Sequence, residues 1–589
     1  MVGRTSRMID ESNLTPAEQA ANKAIQSVFQ SIRECKNFRL EAGAGAGKTY
    51  TLVEALRFVL RERGLKFLKL QQQIACITYT NVASEEITSR TDGHPAVHSS
   101  TIHAFCWLLI KAFQPYLRSN LSTIEGWPER LEEVGGIGQR RIEYDLGHRR
   151  AKPEDSAVYL GHNDVLELTV SLMEQPKFRT LMAARFPILF IDEYQDTNAA
   201  FAQSLVRHFI EPKQGPLIGL FGDSWQKIYG DGCGLVSHGN LTAIGKEANF
   251  RSTTAIVDVL NKMRPDLPQR VRNPGLIGSA VVYHSNAWNG TRRTGSHWDG
   301  DLPPDQGHKY LEMVRHRLAN EGWDFSPGTT KILMLTHNIL ATEQNYSNLA
   351  GVFQYNDSFI KKEDPHIAFF ADTLEPLCVA YLAQRYGQMF SILGTSSATI
   401  LTLDNKREWT DDMNRLIELR DSKTIGDIID YLKIARYPGL SDAVRDREAA
   451  LSKASAEAVA ESRSLSELGK LRAIPYKEVV FLAQFLSEHT LFSTKHGVKG
   501  AEFENVLVVL GRGWNQYNWK QFLEMHGNLI PANRVAAYER NRNLFYVACS
   551  RPKNRLALLF TQLLSPAALA TLSDWFGAGA IFALTESSK

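Results

Sequence analysis

The sequence predicts an α/β fold built on parallel sheets, and two motifs together with their order support this prediction. Residues 42–49 read Ala-Gly-Ala-Gly-Ala-Gly-Lys-Thr, and apolar side chains recur at helical spacing directly after them. Residues 188–197 read Ile-Leu-Phe-Ile-Asp-Glu-Tyr-Gln-Asp-Thr, an apolar run that ends in two carboxylates. This pattern is typical of a buried parallel strand that delivers polar groups to the carboxyl edge of a sheet.

The first half of the chain alternates strand and helix patterns around these motifs. Residues 14–62 predict a helix, a strand, the glycine-rich loop and a second helix. Short apolar runs predict strands at 74–80, 187–192 and 217–222. Residues 105–185 are polar and helical in pattern, so we interpret them as a helical insertion in the sheet domain.

The second half of the chain is less regular. Residues 262–308 are rich in Pro, Gly, Asn and Arg and predict irregular loops and hairpins. An apolar run at 505–510 predicts a strand, and 556–560 is expected to close a second sheet. Residues 410–475 predict charged helices, and the Ala/Glu/Ser-rich run at 449–468 is interpreted as a solvated helix face.

Composition excludes several classes of protein. A chain of 589 residues is expected to form about three or four domains, because one hydrophobic core does not extend that far. The net charge of +3 permits a nucleic-acid partner only where basic residues cluster. The six cysteines stand singly, which argues against a zinc ribbon or a disulfide framework and for a reducing cytoplasm. We find neither a secretory signal nor a run of about 18 apolar residues, so we expect no membrane association.

The two motifs carry the chemistry of phosphate transfer. Glycines let successive backbone N–H groups face a polyphosphate at the start of a helix. Lys48 would reach the β- and γ-phosphates, and the Thr49 hydroxyl and Asp192 would hold Mg²⁺. Glu193 would orient and deprotonate the attacking water. The sequence therefore predicts hydrolysis of ATP with Mg²⁺ as the metal.

Further motifs follow in order, and with them the chain resembles the UvrD/Rep-type DNA helicases of superfamily 1A. They are Thr78-Tyr79-Thr80-Asn81 (motif Ia), Ser100-Thr101-Ile102-His103 (Ib), Gly222-Asp223-Ser224-Trp225-Gln226-Lys227-Ile228-Tyr229 (III), Asn249-Phe250-Arg251-Ser252-Thr253 (IV), His496-Gly497-Val498-Lys499-Gly500-Ala501-Glu502-Phe503 (V) and Leu544-Phe545-Tyr546-Val547-Ala548-Cys549-Ser550-Arg551 (VI). The resemblance covers nearly the whole chain and implies two RecA-like P-loop domains with parallel sheets, each carrying a mainly helical insertion.

The resemblance also implies roles in nucleotide binding and hydrolysis. Gln226 matches the glutamine that senses the γ-phosphate and the attacking water. Arg251 and Arg551 match the two arginines that the second domain contributes to the transition state. Glu502 matches a residue near the ribose, and Gln19 matches the glutamine that reads adenine. The nucleotide-binding residues implied on the glycine-rich loop are Ala42, Gly43, Ala44, Gly45, Ala46, Gly47, Lys48 and Thr49.

The positions of two aromatic residues indicate how the adenine of ATP is bound. Tyr50 stands where the family often has an arginine that stacks on adenine. Phe250 matches the aromatic residue on the other face of the base. We therefore expect an aromatic sandwich around the adenine.

The resemblance places DNA contacts in motifs Ia, Ib, III and V. The implied residues are Thr78, Tyr79, Asn81, His103, Tyr229 and His496. Asp231 and Gly232 replace a stacking aromatic residue and an arginine that follow motif III in the family. Val82 replaces a lysine, which removes about one phosphate contact. Trp225 is interpreted as a core residue rather than a substitute for the missing ring.

The motif order predicts a division of the chain into six segments. The first RecA-like domain is expected at 1–105 and 186–248 with its helical insert at 106–185, and the second at 249–344 and 479–589 with its helical insert at 345–478. Little sequence follows motif VI, so we expect no nuclease domain there, and DNA cleavage would need a separate protein.

The resemblance implies ATP-dependent 3′-to-5′ movement on single-stranded or tailed duplex DNA, in DNA repair or antiphage defence. An alternative is a regulatory ATPase that senses DNA or nucleotide and gates a separate nuclease, with little unwinding of its own. In this trimmed form the chain resembles the helicase partners of OLD-family nucleases in Gabija-like antiphage systems. RNA unwinding is disfavoured because the motifs are those of the DNA family.

Overall fold

The computed structural model divides the chain into two compact units. Unit 1 comprises the residues up to Ala280 together with Leu529–Arg555, and unit 2 comprises Val281–Asn528 and the residues from Leu556 onward. The structure describes residues 14–144, 149–152, 156–228, 230–295, 298–334, 344–354, 357–360, 362–393, 402–435, 438–487, 492–493, 502–512 and 517–585. The six-segment division inferred from the motifs remains a prediction.

A six-stranded sheet forms the centre of unit 1. The strands of this unit are β1 (Phe38–Ala42), β2 (Ile74–Thr78), β3 (Val97–Thr101), β4 (Arg141–Tyr144), β5 (Ala157–Leu160), β6 (Ile188–Asp192), β7 (Leu217–Gly222), β8 (Thr242–Lys246), β9 (Ala248–Asn249) and β10 (Arg270–Val271). The large sheet has the order β3-β2-β6-β7-β1-β8, and all its neighbouring strands are parallel. This confirms the predicted α/β class.

The strands of this sheet are apolar on both faces. Along β2, Ile74 and Cys76 pack into one hydrophobic core, while Ala75 and Ile77 pack into a second core on the opposite face. Successive side chains of a strand point to opposite faces, so a continuous apolar run is what a sheet covered on both sides requires.

Helices cover both faces, and the predicted insertion contains more than helices. The helices of unit 1 are Pro16–Arg33, Lys48–Lys69, Asn81–Arg90, Ile102–Ile110, Gln114–Asn120, Trp127–Glu133, His162–Met173, Pro176–Arg185, Ala199–Leu205, Thr254–Met263 and Val535–Cys549. Within the segment predicted to be helical, β4 and β5 pair in parallel as a separate two-stranded sheet. Both strands are short, and the flanking residues are polar. The sequence of this segment therefore showed no clear strand pattern.

Unit 2 contains a second six-stranded sheet. Its strands are β11 (Ser279–His284), β12 (Thr330–Met334), β13 (Phe492–Ser493), β14 (Phe503–Leu510), β15 (Pro552–Phe560) and β16 (Ile581–Ala583), in the order β13-β12-β14-β15-β11-β16. The expectation that 556–560 closes this sheet is wrong, because β15 lies between β14 and β11. A strand that is buried on both faces has the same apolar pattern in the centre of a sheet and at its edge. The sequence of the strand therefore does not predict which strands lie beside it.

Helices make up the rest of unit 2. They are Pro304–Asn320, Ser347–Val352, Asp357–Ile360, Pro365–Phe369, Glu375–Leu382, Tyr386–Leu393, Leu403–Ser422, Ile425–Ile434, Asp442–Lys453, Ala456–Glu461, Arg463–Arg472, Lys477–Leu486, Trp519–Met525 and Pro566–Phe576. The Ala/Glu/Ser-rich run at 449–468 is divided among three of them. Ser455 and Ser462 accept hydrogen bonds from the backbone three residues on, so each caps a new helix and ends the preceding one.

The segment that was predicted to be irregular contains regular secondary structure. Residues 262–308 are not entirely irregular, because they contain β11 and the start of the helix Pro304–Asn320. Among the described residues, no helix is long and apolar enough to cross a membrane.

The predicted functional segments of unit 1 follow the carboxyl ends of its strands. The glycine-rich loop follows β1, motif Ia follows β2, and motif Ib follows β3. The acidic motif follows β6, and motif III follows β7. Because these strands are parallel and adjacent, their carboxyl ends lie at one edge of the sheet, where ligands bind in open α/β folds.

We expect Phe190→Ala to destabilise unit 1 by about 3–5 kcal/mol, the usual loss for deleting a buried aromatic ring. Phe190 is fully buried in β6, and its ring contacts Phe38 and Phe221 at centroid distances of 6.1 and 5.3 Å. Urea unfolding measures the change. Leu65→Ala, at an exposed position, is the control and should stay within about 0.5 kcal/mol of the parent protein. Equal losses for the two variants would contradict this account of the core.

Candidate active site

The glycine-rich loop has a backbone shape that requires glycine. Gly45 and Gly47 have φ angles of 73° and 71°, in the left-handed region that residues with a Cβ rarely adopt. A Cβ on Gly45 would also lie 2.7 Å from the Cβ of Arg251. The helix Lys48–Lys69 begins directly after the loop, so the loop and the first helical turn form a cradle for an anion.

Side chains from outside the loop hold its carbonyl groups. The amide nitrogens of Asn249 and Gln269 donate to the Ala44 carbonyl at 3.2 and 3.0 Å. The backbone N–H of Phe250 donates to the Gly45 carbonyl at 2.8 Å. Motif IV therefore fixes the loop from one side.

Lys48 and Glu193 form an ion pair. Lys48 Nζ lies 2.6 Å from Glu193 Oε1, and both side chains are largely buried. Burial alone would lower the pKa of Lys48, but the carboxylates of Glu193 and Asp192 outweigh burial and raise it. The predicted phosphate-binding lysine and the predicted base are thus in direct contact.

A buried glutamine orients Glu193. Gln195 Nε2 donates to Glu193 Oε2 at 2.6 Å and to Asp196 Oδ2 at 3.2 Å. The Gln195 side-chain oxygen accepts from the backbone N–H of Asp223 at 3.1 Å. Glu193 itself has a φ of 49°, which is strained for a residue with a side chain and is a feature of functional sites. The carboxylate is therefore positioned rather than free to rotate.

The structure brings Gln226 and Arg551 together. Gln226 Nε2 donates to Asp223 Oδ2 at 2.8 Å, and Arg551 Nη2 donates to Gln226 Oε1 at 3.3 Å. Arg551 is only 1% exposed. Burial and the like charge of Arg251 lower the pKa of Arg551 to about 10. Arg251 lies nearby and donates to the Ser550 carbonyl at 3.1 Å.

A buried arginine, Arg264, forms ion pairs with two carboxylates next to the site. Arg264 Nη1 lies 2.5 Å from Asp223 Oδ1, and Arg264 Nη2 lies 3.2 Å from Glu41 Oε2. Burial would lower the pKa of Arg264, but the carboxylates, Asp223 first, raise it. Asp223 thereby connects this pair to Gln226.

Trp225 lies close to two guanidinium groups. Its ring is 4.2 Å from the Arg542 guanidinium carbon and 5.2 Å from that of Arg264. The edge of Tyr546 also contacts it, at a centroid distance of 5.5 Å. These contacts support the interpretation of Trp225 as a packing residue, worth about 0.5–2 kcal/mol for each cation–π contact.

The residues predicted to hold the base lie beside the loop. A Cβ on Gly47 would have Phe250 Cδ2 at 3.8 Å and Tyr50 Cβ at 3.9 Å. Phe250 packs on Ala17 and Ala21 of the first helix, which also carries Gln19. Gln19 is exposed, and its amide donates to the Leu14 carbonyl at 3.1 Å.

The donors present fit a hard divalent cation. Thr49 supplies a hydroxyl in the first turn of the helix, and Asp192 supplies a buried carboxylate at the end of β6. Carboxylate and hydroxyl oxygens are the ligands that Mg²⁺ prefers, and Mg²⁺ usually takes few protein ligands beside the phosphates. The predicted metal ligands therefore suit the predicted metal.

The comparisons with known proteins agree with this geometry. A family model described as an AAA domain matches residues 24–231. The chain is similar to the Gabija protein GajB of Bacillus cereus (strain HuB5-5), with 22% identity over 93% of this chain and 96% of that protein. It is also similar to the ATP-dependent DNA helicase PcrA of Bacillus subtilis (strain 168), with 25% identity over 43% of this chain and 39% of PcrA. PcrA of Staphylococcus epidermidis is 26% identical over 38% of this chain and 37% of PcrA.

Through these matches the chain is similar to the UvrD/PcrA-like superfamily 1 helicases. It is a helicase-like ATPase related to GajB and to PcrA.

The residues that the resemblance implies for DNA contacts differ in exposure. Tyr79 is 41% exposed, and Asn81 is exposed at the start of the helix Asn81–Arg90. Thr78 is buried, and its hydroxyl donates to the Thr80 carbonyl at 3.0 Å, so it stabilises the turn. Tyr229 and His496 lie outside the described residues. Glu502, implied for the ribose, is exposed in unit 2 just before β14.

His103 is paired with a second histidine. The rings of His103 and His162 are 4.4 Å apart between centroids, and His162 Nδ1 shares a hydrogen bond with the Tyr144 hydroxyl. Burial and the neighbouring His162 lower the pKa of His103 to about 4. His103 is therefore a neutral ring at physiological pH.

The packing after motif III explains one departure from the helicase pattern. A Cβ on Gly232 would lie 2.5 Å from the carbonyl oxygen of Gln195. The Asp231 carbonyl accepts from the backbone N–H of Ala199 at 3.2 Å. This segment runs directly against the residues that hold Glu193, so position 232 has no room for the arginine of the family.

Sequence reasoning missed several supporting residues. Asp223 lies in motif III, and Gln195 lies in the acidic motif. A polar side chain close in sequence to a predicted functional residue was the signal that could have identified each of them. Arg264 and Gln269 lie in a segment predicted to be irregular, and nothing local distinguishes them. Their partners are 41 and 225 residues away in the chain.

We expect Gln195→Leu to lower kcat for ATP hydrolysis by up to about 100-fold with little change in KM, because misplacing a catalytic group by about 1 Å costs that much. Steady-state ATPase kinetics measure both constants. Gln203→Leu changes an exposed glutamine on the next helix and serves as the control. If kcat were the same in both variants, Gln195 would not position Glu193.

We expect part of the folding stability to depend on pH through His103. Its pKa is lower in the folded protein than the ordinary value of 6.5, so the unfolded chain binds the proton first as the pH falls. The contribution is fully present above pH 6.5 and is lost as the pH falls toward 4. His103→Phe should reduce this loss in denaturant unfolding series, whereas His308→Phe, at an exposed histidine, should not. Identical pH slopes for His103→Phe and the parent protein would refute the assignment.

Proposed function

We propose that this chain is an ATP-dependent translocase that moves 3′ to 5′ on single-stranded DNA, hydrolyses Mg-ATP and acts in antiphage defence. The contact between Arg551 and Gln226 carries the proposal, because it joins motif VI to the hydrolytic side chains. Lys48 and Glu193 are paired in the same unit. The similarity to UvrD/PcrA-like helicases and to GajB supports the same function.

In the proposed reaction, polyphosphate oxygens replace Glu193 as the partner of Lys48. Glu193, still held by Gln195, is then available to orient water and accept its proton. Arg551 and Arg251 stabilise the charge on the transferred phosphoryl group, a contribution worth about 10³–10⁵ in rate in related enzymes. When bound by Thr49 and Asp192, Mg²⁺ would supply charge neutralisation on the phosphates.

The base site supports ATP as the substrate. Phe250 packs on the first helix near the loop, and both Phe250 and Tyr50 lie within 4 Å of the position that a Cβ on Gly47 would take. In our proposal the two rings stack on the adenine, and Gln19 exchanges its bond to the Leu14 carbonyl for a bond to the base. Glu502 would approach the ribose.

The DNA track is proposed to follow the same edge of the sheet. Tyr79 and Asn81 are exposed just beyond β2, and His103 lies just beyond β3. Tyr79 would stack on an unpaired base, a contact worth about 1–3 kcal/mol. Tyr229 and His496 would extend the track. The proposed track and the P-loop therefore share one edge of the sheet.

A second function is favoured by one specific observation. The crowded position of Gly232 leaves no room for the motif III arginine of the family, which weakens the expected stepping contacts. The similarity to GajB extends over 93% of this chain, so we also propose a partner of the kind found in Gabija systems. In this alternative the chain senses DNA or nucleotide and gates a separate OLD-like nuclease in the cytoplasm.

We expect single-stranded DNA to stimulate ATP hydrolysis by the full chain, and Glu193→Gln to reduce the stimulated rate by about 10²–10⁴-fold, as for loss of a general base. Glu211→Gln, at an exposed position, is the matched control and should hydrolyse ATP normally. The same samples are assayed for unwinding of duplexes with a 3′ or a 5′ tail.

The two proposed functions give different results in this assay. Unwinding of only the 3′-tailed duplex supports a translocase that works alone. Stimulated hydrolysis without unwinding supports the gating ATPase. Hydrolysis that does not respond to DNA would exclude the translocase and would leave only a gating ATPase that senses nucleotide.

A further inference from the structure

Lys246 is a buried cation beside the phosphate-binding loop. It is the last residue of β8, the edge strand of the sheet, and its side chain is 0% exposed. Its ammonium donates to the Gly47 carbonyl at 2.9 Å and to the Thr51 hydroxyl at 2.7 Å. Lys246 Nζ also lies 5.9 Å from the centre of the Phe250 ring. The charge is thus held against the turn that binds phosphate.

No carboxylate of the described residues forms an ion pair with this ammonium. Its two bonds go to neutral oxygens, whereas the neighbouring Lys48 is paired with Glu193. Burial lowers the pKa of Lys246 to about 8, and no nearby charge opposes that effect. A buried ammonium with neutral partners carries a large desolvation cost. An anionic ligand that binds nearby would offset this cost.

The hydrogen bonds of Lys246 do not by themselves require a lysine. The Gly47 carbonyl already accepts from the backbone N–H of Thr51 at 3.2 Å. The Thr51 hydroxyl lies 3.4 Å from the same carbonyl and can donate to it. A neutral side chain at 246 would therefore leave no buried acceptor without a donor. The lysine must contribute through its charge.

We propose that Lys246 is a second cation of the nucleotide site, whose charge is balanced by the phosphates of the bound nucleotide. This inference rests on the proposed ATP site and adds a residue to it. Lys246 acts through the Gly47–Thr51 turn rather than on the reacting atoms, so it is a positioning residue. A polyphosphate is the ligand class that fits, because a neutral ligand would leave the buried charge unbalanced.

The test compares Lys246→Met with Lys69→Met. Methionine keeps the length and apolar stem of lysine and removes the charge, and Lys69 is an exposed lysine in the last turn of the P-loop helix. Titration calorimetry with Mg²⁺ and a non-hydrolysable ATP analogue gives the affinity of each full-length protein. Thermal unfolding without nucleotide gives the stability. Lys246→Arg keeps the charge and tests rescue.

We expect Lys246→Met to weaken nucleotide binding by at least about 10-fold, because removing the buried charge weakens the electrostatic attraction for the phosphates by about the size of one charge-assisted interaction. Its melting temperature without nucleotide should equal or exceed that of the parent protein, because an unbalanced buried charge has been removed. Lys246→Arg should recover part of the affinity. Lys69→Met should match the parent protein in both measurements.

Three other outcomes would contradict the proposal, each for a different reason. Unchanged affinity in Lys246→Met, with or without a lower melting temperature, would make Lys246 a structural residue only. If the parent protein bound the analogue but Lys246→Arg bound no better than Lys246→Met, charge would not be the relevant property. A parent protein that bound no nucleotide would overturn the proposed function itself, and this inference with it.

Discussion

The ion pair between Lys48 and Glu193 is the interaction on which the rest of the site depends. Both groups are largely buried, so neither charge is stable there without the other. A polyphosphate offers Lys48 a stronger anion, and the exchange would release Glu193 as a base at the moment when substrate is present. In the proposed reaction, the pair would therefore link nucleotide binding to activation of the attacking water.

The surrounding groups make this exchange possible without collapse of the site. Gln195 keeps hold of Glu193, and Asp223 connects Gln195 to Gln226 on one side and to Arg264 on the other. Arg264 is satisfied by two carboxylates and stays in place. Supporting groups that keep their hydrogen bonds while Lys48 changes its partner would give preorganisation, which is the main source of electrostatic catalysis.

The local elements were predictable because their signals are local. The glycines of the loop, the apolar run of β6 and the helical spacing after Lys48 each report a backbone shape, and the structure confirms all three. Errors arose where long-range packing decides. The central position of β15 depends on its neighbours in the sheet, and the three helices across 449–468 depend on serine caps within a uniformly helical composition. The crowding at Gly232 depends on a separate segment of backbone.

Local sequence patterns were enough to predict the proposed chemistry: a phosphate cradle, carboxylates at a strand end and ordered motifs that resemble those of superfamily 1 helicases. Residue type and short spacing are sufficient for these features, since each acts within a few residues. The tertiary structure alone decided which side chains support them. Gln226 and Arg551 are separated by 325 residues, and Lys246 and Thr51 by 195. Contacts over such distances arise when parallel strands bring their carboxyl ends to one edge, and that arrangement leaves no local pattern in the chain.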